Sequence, residues 1–170
     1  MTDSDKTVAP VITIRKAHPQ DAAAIADCLE SAFAPFRDQY TAGAFADTVL
    51  STTGVLDRMS HMTIHAAITG DGDLIGTLAS SVFQSDGHLR GMAVRPEWQG
   101  HRIGLRLLLE AESHLFAAGC RRITLDTTLP LRRATCFYER NGFAPSGKVT
   151  DFFGMPLHEY VKLLRAPSNP

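Results

Sequence analysis

The chain of 170 residues lacks most of the features that announce a specialised class of protein. Cysteine is scarce: Cys28, Cys120 and Cys136 are an odd number with no CxxC spacing. A disulfide framework and a zinc knuckle are therefore not suggested, and the three thiols read as small buried apolar residues in a reducing compartment. No excess of one charge is present, since 17 Lys and Arg face 18 Asp and Glu. That balance excludes a basic surface spread over the whole molecule and the high-charge signature of a disordered chain. Long hydrophobic runs are missing as well. The longest stretches free of Asp, Glu, Lys and Arg are Met59–Gly70 and Leu74–Ser85, too short for the roughly 20 residues of a spanning helix. The opening MTDSDKTVAP is acidic without an apolar core, so no secretory signal and a cytoplasmic location are expected.

What is present is 44% hydrophobic residues, enough to bury a core in one domain. Residues 1–10 and 166–170 read as tails around a single domain over 11–165. Val11–Arg15 predicts a first strand. Pro19 opens a helix whose face is Ala22, Ile25, Ala26, Leu29, Ala32 and Phe33, stopped by Pro35. A short helix over Thr41–Leu50 follows, capped by Thr41. Strands are predicted over Met62–Ile68, Leu74–Phe83 and His88–Val94, with turns at Thr69–Asp73 and Ser85–Gly87. A long helix runs over Arg102–Ala118 on a stripe of Gly104, Leu108, Ala111, Leu115 and Ala118, with Arg106 and Glu110 paired and Gly119 as C-cap. Arg122–Thr127, a helix over Leu131–Asn141, and strands over Phe143–Lys148 and Leu157–Leu164 complete an α/β order. At least one parallel crossover is expected, between the fourth and fifth strands.

Chemistry points to Met92–Leu105, where a strand ends, a glycine-containing loop turns and a helix begins. Free N–H groups and the positive dipole end at a helix start suit a phosphate, and Gly100 and Gly104 let backbone approach it. The P-loop signature fails because no Gly-Lys-Ser or Gly-Lys-Thr occurs, and GxGxxG fails because the glycines are four apart with no third. What remains is a Q/R-x-x-G-x-G/A loop carried by Gln99, Gly100, His101, Arg102, Ile103 and Gly104, with Arg102 where the second-last glycine is usual. A second element, Ala134-Thr135-Cys136-Phe137-Tyr138-Glu139-Arg140-Asn141-Gly142-Phe143, has the form A-x-x-F/L-Y-x-x-x-G-F. Together with Ile12–Ala22 these segments resemble the GCN5-related N-acetyltransferase (GNAT) superfamily over nearly the whole chain.

The resemblance implies a mixed, mostly antiparallel sheet of about six or seven strands with helices on both faces. It implies acetyl-CoA as acyl donor and direct transfer to a primary amine, expected to belong to a small molecule. Gln99 to Gly104 would cradle the pyrophosphate, and Met92, Ala93 and Val94 would hold the pantetheine and polarise the thioester, with Phe137 also on the cofactor. Tyr138 would protonate the departing thiolate. An asparagine often found at the start of that helix is replaced by Leu131 or Arg132. For the base, His88 stands where many relatives carry Glu and shares strand parity with Arg90, Met92 and Val94; Glu97 and Asp126 are weaker candidates. A solvent-facing strand-end histidine is its plain alternative. Phe36, Arg37, Tyr40 and Asp47 are candidate acceptor walls, and Arg37 would favour a carboxylate. His61 and His65 are not expected to hold a metal. Arg121-Arg122 and Arg132-Arg133 would either approach the adenosine 3′-phosphate of coenzyme A or solvate helix and strand ends; without aromatic interleaving no nucleic-acid site is read, and with no long apolar run no membrane partner is expected. Members of the family often form homodimers. A binding module of the same fold that senses acyl-CoA without turnover is the alternative from another class.

Overall fold

A computed structural model describes residues 10–165, so the predicted tails lie outside it except for Pro10. Seven strands form one sheet: β1 (Ile12–Lys16), β2 (Thr63–Thr69), β3 (Leu74–Phe83), β4 (Asp86–Val94), β5 (Arg122–Thr128), β6 (Ala144–Phe152) and β7 (Met155–Leu163). Their order is β1-β2-β3-β4-β5-β7-β6, antiparallel throughout except for the parallel pair β4–β5. Among the described residues five α-helices pack around it: α1 (Ala22–Phe33), α2 (Ala42–Thr48), α3 (Thr52–Met59), α4 (Ile103–Ala117) and α5 (Arg132–Arg140). Among the described residues no helix is long and apolar enough to cross a membrane.

Two cores cover the two faces, and alternation along the strands assigns side chains to one or the other. On β2 the adjacent Ala66 and Ala67 fall in different cores. One core joins α4 and α5 to the sheet through Leu107, Leu108, Leu115, Tyr138, Leu78 and Leu89. The other joins α1, α2 and α3 through Ile25, Leu29, Phe45, Val55, Ala79 and Ala93. Each fully buried Leu or Ile stabilises by about 1.5–3 kcal/mol against its exposed state, which is what fixes α4 on the sheet.

Several expectations need correction. The helix α3 was not read from the sequence, although Ser51 caps it by accepting a hydrogen bond from Gly54 N at 3.2 Å. The stripe of α4 is Ile103, Leu107, Leu108, Ala111 and Leu115; Ala118 is exposed, because the chain leaves the helix there toward Gly119 with φ +93°. Arg106 does not pair with Glu110 but donates to the Ile12 carbonyl at 2.6 Å. The second turn is Gln84-Ser85, with Asp86 and Gly87 already in β4. Cys28 and Cys120 are buried as expected, whereas Cys136 is exposed on α5.

The correction with most consequence for the site is a bulge in β4. Ala79 pairs with Arg90 and Thr77 with Ala93, so β4 carries one more residue than β3 across that step. Gly91 takes φ +66° there. The extra residue flips the strand's parity: Leu89 belongs to the core beside α4, Ala93 to the core beside α1. His88 and Arg90 therefore face the α1–α3 layer, while Met92 and Val94 pack toward α4. The expected common face of His88, Arg90, Met92 and Val94 does not exist.

Candidate active site

The parallel ladder between β4 and β5 is short. It pairs Asp86–Leu89 with Arg122–Leu125 and ends there, although both strands continue. Beyond that point the edge of β4 from Arg90 to Val94 opens toward a gap in the sheet. The loop Arg95–Arg102 and the start of α4 follow directly from this edge.

The loop is fastened from beneath by Arg95, a residue the sequence reading passed over. Its Nε donates to the Leu74 carbonyl at 2.7 Å, and Nη2 meets Asp27 at 2.6 Å. Gln99 Nε2 donates to the Val94 carbonyl at 3.2 Å, and Trp98 packs edge-on to His101 at 5.6 Å. Gly100 has φ +85°, where a side chain is strained. Arg102 has φ 60° and ψ 17°, the left-handed region, at a cost of roughly 1–2 kcal/mol for a residue with a Cβ. That dihedral is the reason a glycine is at home in this place, and the Arg102 side chain is exposed. No side chain caps α4, and the bond from Arg106 N to the Arg102 carbonyl closes its first turn at 3.1 Å. The N–H groups of Ile103, Gly104 and Leu105 precede that bond, so the helix presents donors and a positive dipole end to the loop.

Three predicted residues from three elements converge beside the gap. A Cβ on Gly104 would lie 3.7 Å from Met92 Sδ and 3.7 Å from Phe137 Cζ. Thus β4, α4 and α5 approach one another around a glycine. Tyr138, the next residue of α5, is 8% exposed and packs edge-to-face with Phe137 and Phe143 at 5.4 and 5.7 Å. Burial alone pushes its phenol well above the usual range, so it stays protonated at any physiological pH.

The other face of the sheet carries a polar row. His88 Nδ1 is hydrogen-bonded with Thr124 Oγ1 at 2.8 Å, and Nε2 stands 3.6 Å from Asp126 Oδ2. Burial lowers the imidazole pKa, against the raising effect of Asp126, so the ring is neutral at pH 7. Burial raises the Asp126 carboxyl, with His88 opposing and Glu159 adding to the rise. Glu159, the cross-strand partner of Asp126, accepts from Ser146 Oγ at 2.9 Å and from Lys148 Nζ at 3.4 Å. Asp47 of α2 forms an ion pair with Arg90. Tyr40 Oη shares a 2.6 Å hydrogen bond with Thr128 Oγ1, and Thr41 Oγ1 donates to the Phe153 carbonyl at 2.7 Å, so this flank is tied to β5 and to the β6–β7 turn. Phe36 packs in the α1-side core.

Not every predicted residue joins the site. Arg37 is engaged with Glu30 at 2.6 Å and lies over the Phe45 ring at 4.2 Å. Glu97 is exposed in the turn Pro96–Trp98 of the loop, and among the described residues no hydrogen bond or ion pair joins it to the polar row. Arg121 covers Phe116 and Arg122 pairs with Asp86, which occupies that basic pair. Conversely, Thr124 and the buried Arg58 of α3 were missed; a cap at Ser51 followed by Val55, Leu56 and Met59 was the available signal for α3.

The pattern of the acetyltransferase (GNAT) family matches residues 25–143. The chain is 34% identical over 82 residues to an aminoglycoside N(6′)-acetyltransferase type 1 of Stenotrophomonas maltophilia, 48% of this chain and 50% of that protein. It is also 34% identical over 74 residues to an uncharacterised N-acetyltransferase of Methanocaldococcus jannaschii, 43% and 47% of the two chains. These matches span about half the length of each relative. The fold is similar to that of the PaiA N-acetyltransferase from Thermoplasma acidophilum, solved in complex with coenzyme A, with TM-score 0.75 and 22% identity over 91% of this chain and 99% of that one.

Proposed function

The chain belongs to the acetyltransferase (GNAT) family, and from that premise we propose that it is an N-acetyltransferase using acetyl-CoA to acetylate a primary amine of a small molecule. One observation carries this reading: β4 leaves β5 after Leu89, and the opened edge runs straight into an uncapped helix start. The residues present fit coenzyme A. The N–H groups of Ile103–Leu105 suit a pyrophosphate, with Gly100 and Arg102 supplying the left-handed turns before them. The edge of β4 at Met92 and Ala93 suits an extended pantetheine arm, and the Met92 and Phe137 side chains beside Gly104 would line it. The Val94 carbonyl is already held by Gln99.

Acetyl-CoA supplies an activated acyl carbon in a thioester. The reaction forms an N–C bond and breaks the C–S bond, so one proton leaves the amine and one reaches the sulfur. In this reading a backbone N–H near Met92 or Ala93 stabilises charge developing on the carbonyl oxygen, a donor commonly worth about 2.7–4 kcal/mol. His88, neutral at pH 7, takes the proton of the amine, directly or through a water. Tyr138 gives its hydroxyl proton to the sulfur, and burial keeps that proton in place until then. The ties of Tyr40 to Thr128 and Thr41 to Phe153 close one flank of the polar face, which favours a small acceptor.

Binding is tested by thermal melting. At 100 times its dissociation constant a ligand stabilises by ~2.7 kcal/mol, which for a chain of this size raises Tm by about 5–10 °C. The expected result is a shift with acetyl-CoA and coenzyme A and none with ATP. An unchanged Tm with millimolar acetyl-CoA would remove the donor assignment.

A further inference from the structure

In α3, Val55 and Arg58 are three residues apart and share its inward face, and both are buried. Arg58 is only 7% exposed, and it is the buried arginine among the described residues. Its guanidinium lies against the β4 bulge: Nη1 is 2.6 Å from the place a Cβ on Gly91 would occupy. The one hydrogen bond from this group is from Nη2 to the Asp47 carbonyl, at a long 3.4 Å. The Asp47 carboxylate itself is taken by Arg90. Other arginines of the structure meet carboxylates at close range, Arg15 with Asp21, Arg95 with Asp27 and Arg122 with Asp86. Around the bulge, two guanidinium groups share one carboxylate.

A buried guanidinium that shares its nearby carboxylate with a second arginine is under-compensated and costly, and Arg cannot escape by releasing its proton at neutral pH. Burial and the neighbouring Arg90 lower its pKa to about 10, against the raising effect of Asp47, so it remains a cation at pH 7. The C-terminal end of α3, where Arg58 sits in the last turn, offsets only part of that cost. The same face of β4 carries His88 and Arg90, so the guanidinium and the imidazole lie along one wall. At the far end of that wall Asp126 stands beside His88, and its carboxylate suits the N–H groups of an amine.

We propose that Arg58 is the receptor for a carboxylate on the acceptor amine, which makes the acceptor an amino acid held with its neutral amino group toward His88 and Asp126 and its carboxylate toward the β4 bulge. This rests on the acetyltransferase reading. A planar carboxylate matches the guanidinium fork and supplies a second negative charge for the two guanidinium groups that share Asp47. The role foreseen for Arg37 passes to Arg58, since Arg37 is spent on Glu30 and Phe45.

The test uses the full chain with acetyl-CoA and amino acids of α, β, γ and δ amine spacing, each beside its carboxamide, with thiol release as readout. At the spacing that fits, the acid exceeds its amide in kcat/KM. In Arg58→Gln the value for the acid falls about 10- to 100-fold, the size of a lost hydrogen bond to a charged group, mostly through KM, while the amide changes less than about twofold. Arg58→Lys recovers part of the loss. Acid and amide equal at every spacing in the wild type, or an equal loss for both in Arg58→Gln, overturns the proposal. Melting of the wild type gives a second reading that needs no variant: the preferred acid raises Tm and its amide does not, and equal shifts overturn it. Thiol release with acids and amides alike defeats the carboxylate receptor alone, whereas no release with any amine defeats acetyl transfer itself.

Discussion

Tyr138→Phe is expected to lower kcat by about 10²- to 10⁴-fold, the range of a single positioned proton donor, with KM for both substrates little changed. The substitution deletes one oxygen and keeps the ring that packs on Phe137 and Phe143, so Tm should stay close to that of the wild type. A donor thioester of an acidic aryl thiol sharpens the result. Such a thiolate leaves without a proton, so the variant should recover most of its rate with that donor. A variant as active as the wild type with acetyl-CoA would make Tyr138 a packing residue of the α4-side core. The raised phenol pKa is consistent with either role, since burial is its cause in both; the kinetic comparison separates them.

His88→Gln is the second large effect, expected at about 10²-fold or more in kcat at neutral pH. Glutamine keeps a hydrogen-bonding group near Thr124 but cannot accept the proton of the amine. The sign of the pH dependence follows from the lowered imidazole pKa. In the wild type the base is free above that pKa, so the rate holds from neutral pH down past the ordinary histidine value of about 6.5 and falls only below it. In the variant this acid limb disappears along with the high plateau. The groups facing the ring set where the limb falls: Asp126 and Glu159 raise the pKa, Arg90 and Lys148 lower it. An unchanged profile in His88→Gln would pass the role of base to another group or to water.

Much of the scaffold was legible because it is written in local signals. Thr41 does cap α2 through Ala44 N at 3.3 Å, Gly119 ends α4, and the strand runs of β2, β3 and β5 fall within a residue or two of their expected limits. The loop from Gln99 to Gly104 and the Phe137 of α5 were also visible, and Met92, Gly104 and Phe137 do come together. What escaped was non-local. The β4 bulge depends on the register between Thr77–Ala79 and Arg90–Ala93, which no alternation within β4 alone reveals, and it moved His88 to the opposite face from Met92. Thr124 pairs with His88 across a parallel ladder, a contact set by the crossover through α4 rather than by spacing. Arg58 was hidden because α3 has few strong formers and a glycine in its first turn, and because an arginine is ordinarily read as a surface residue. Arg102 is the converse: its departure from the usual glycine was evident in the sequence, and the left-handed dihedral gives it a physical reason.

Acetyl transfer is the central step, so the most direct measurement follows both products in one reaction. The protein is incubated with acetyl-CoA and a panel of primary amines, with free thiol read by a disulfide reagent and the amine read by mass. The expected result is amine-dependent thiol release matched mole for mole by an amine heavier by one acetyl group. Coenzyme A binding with no thiol released above the protein-free control, across the panel, would contradict the enzyme reading and leave a chain of this fold that holds acetyl-CoA without using it.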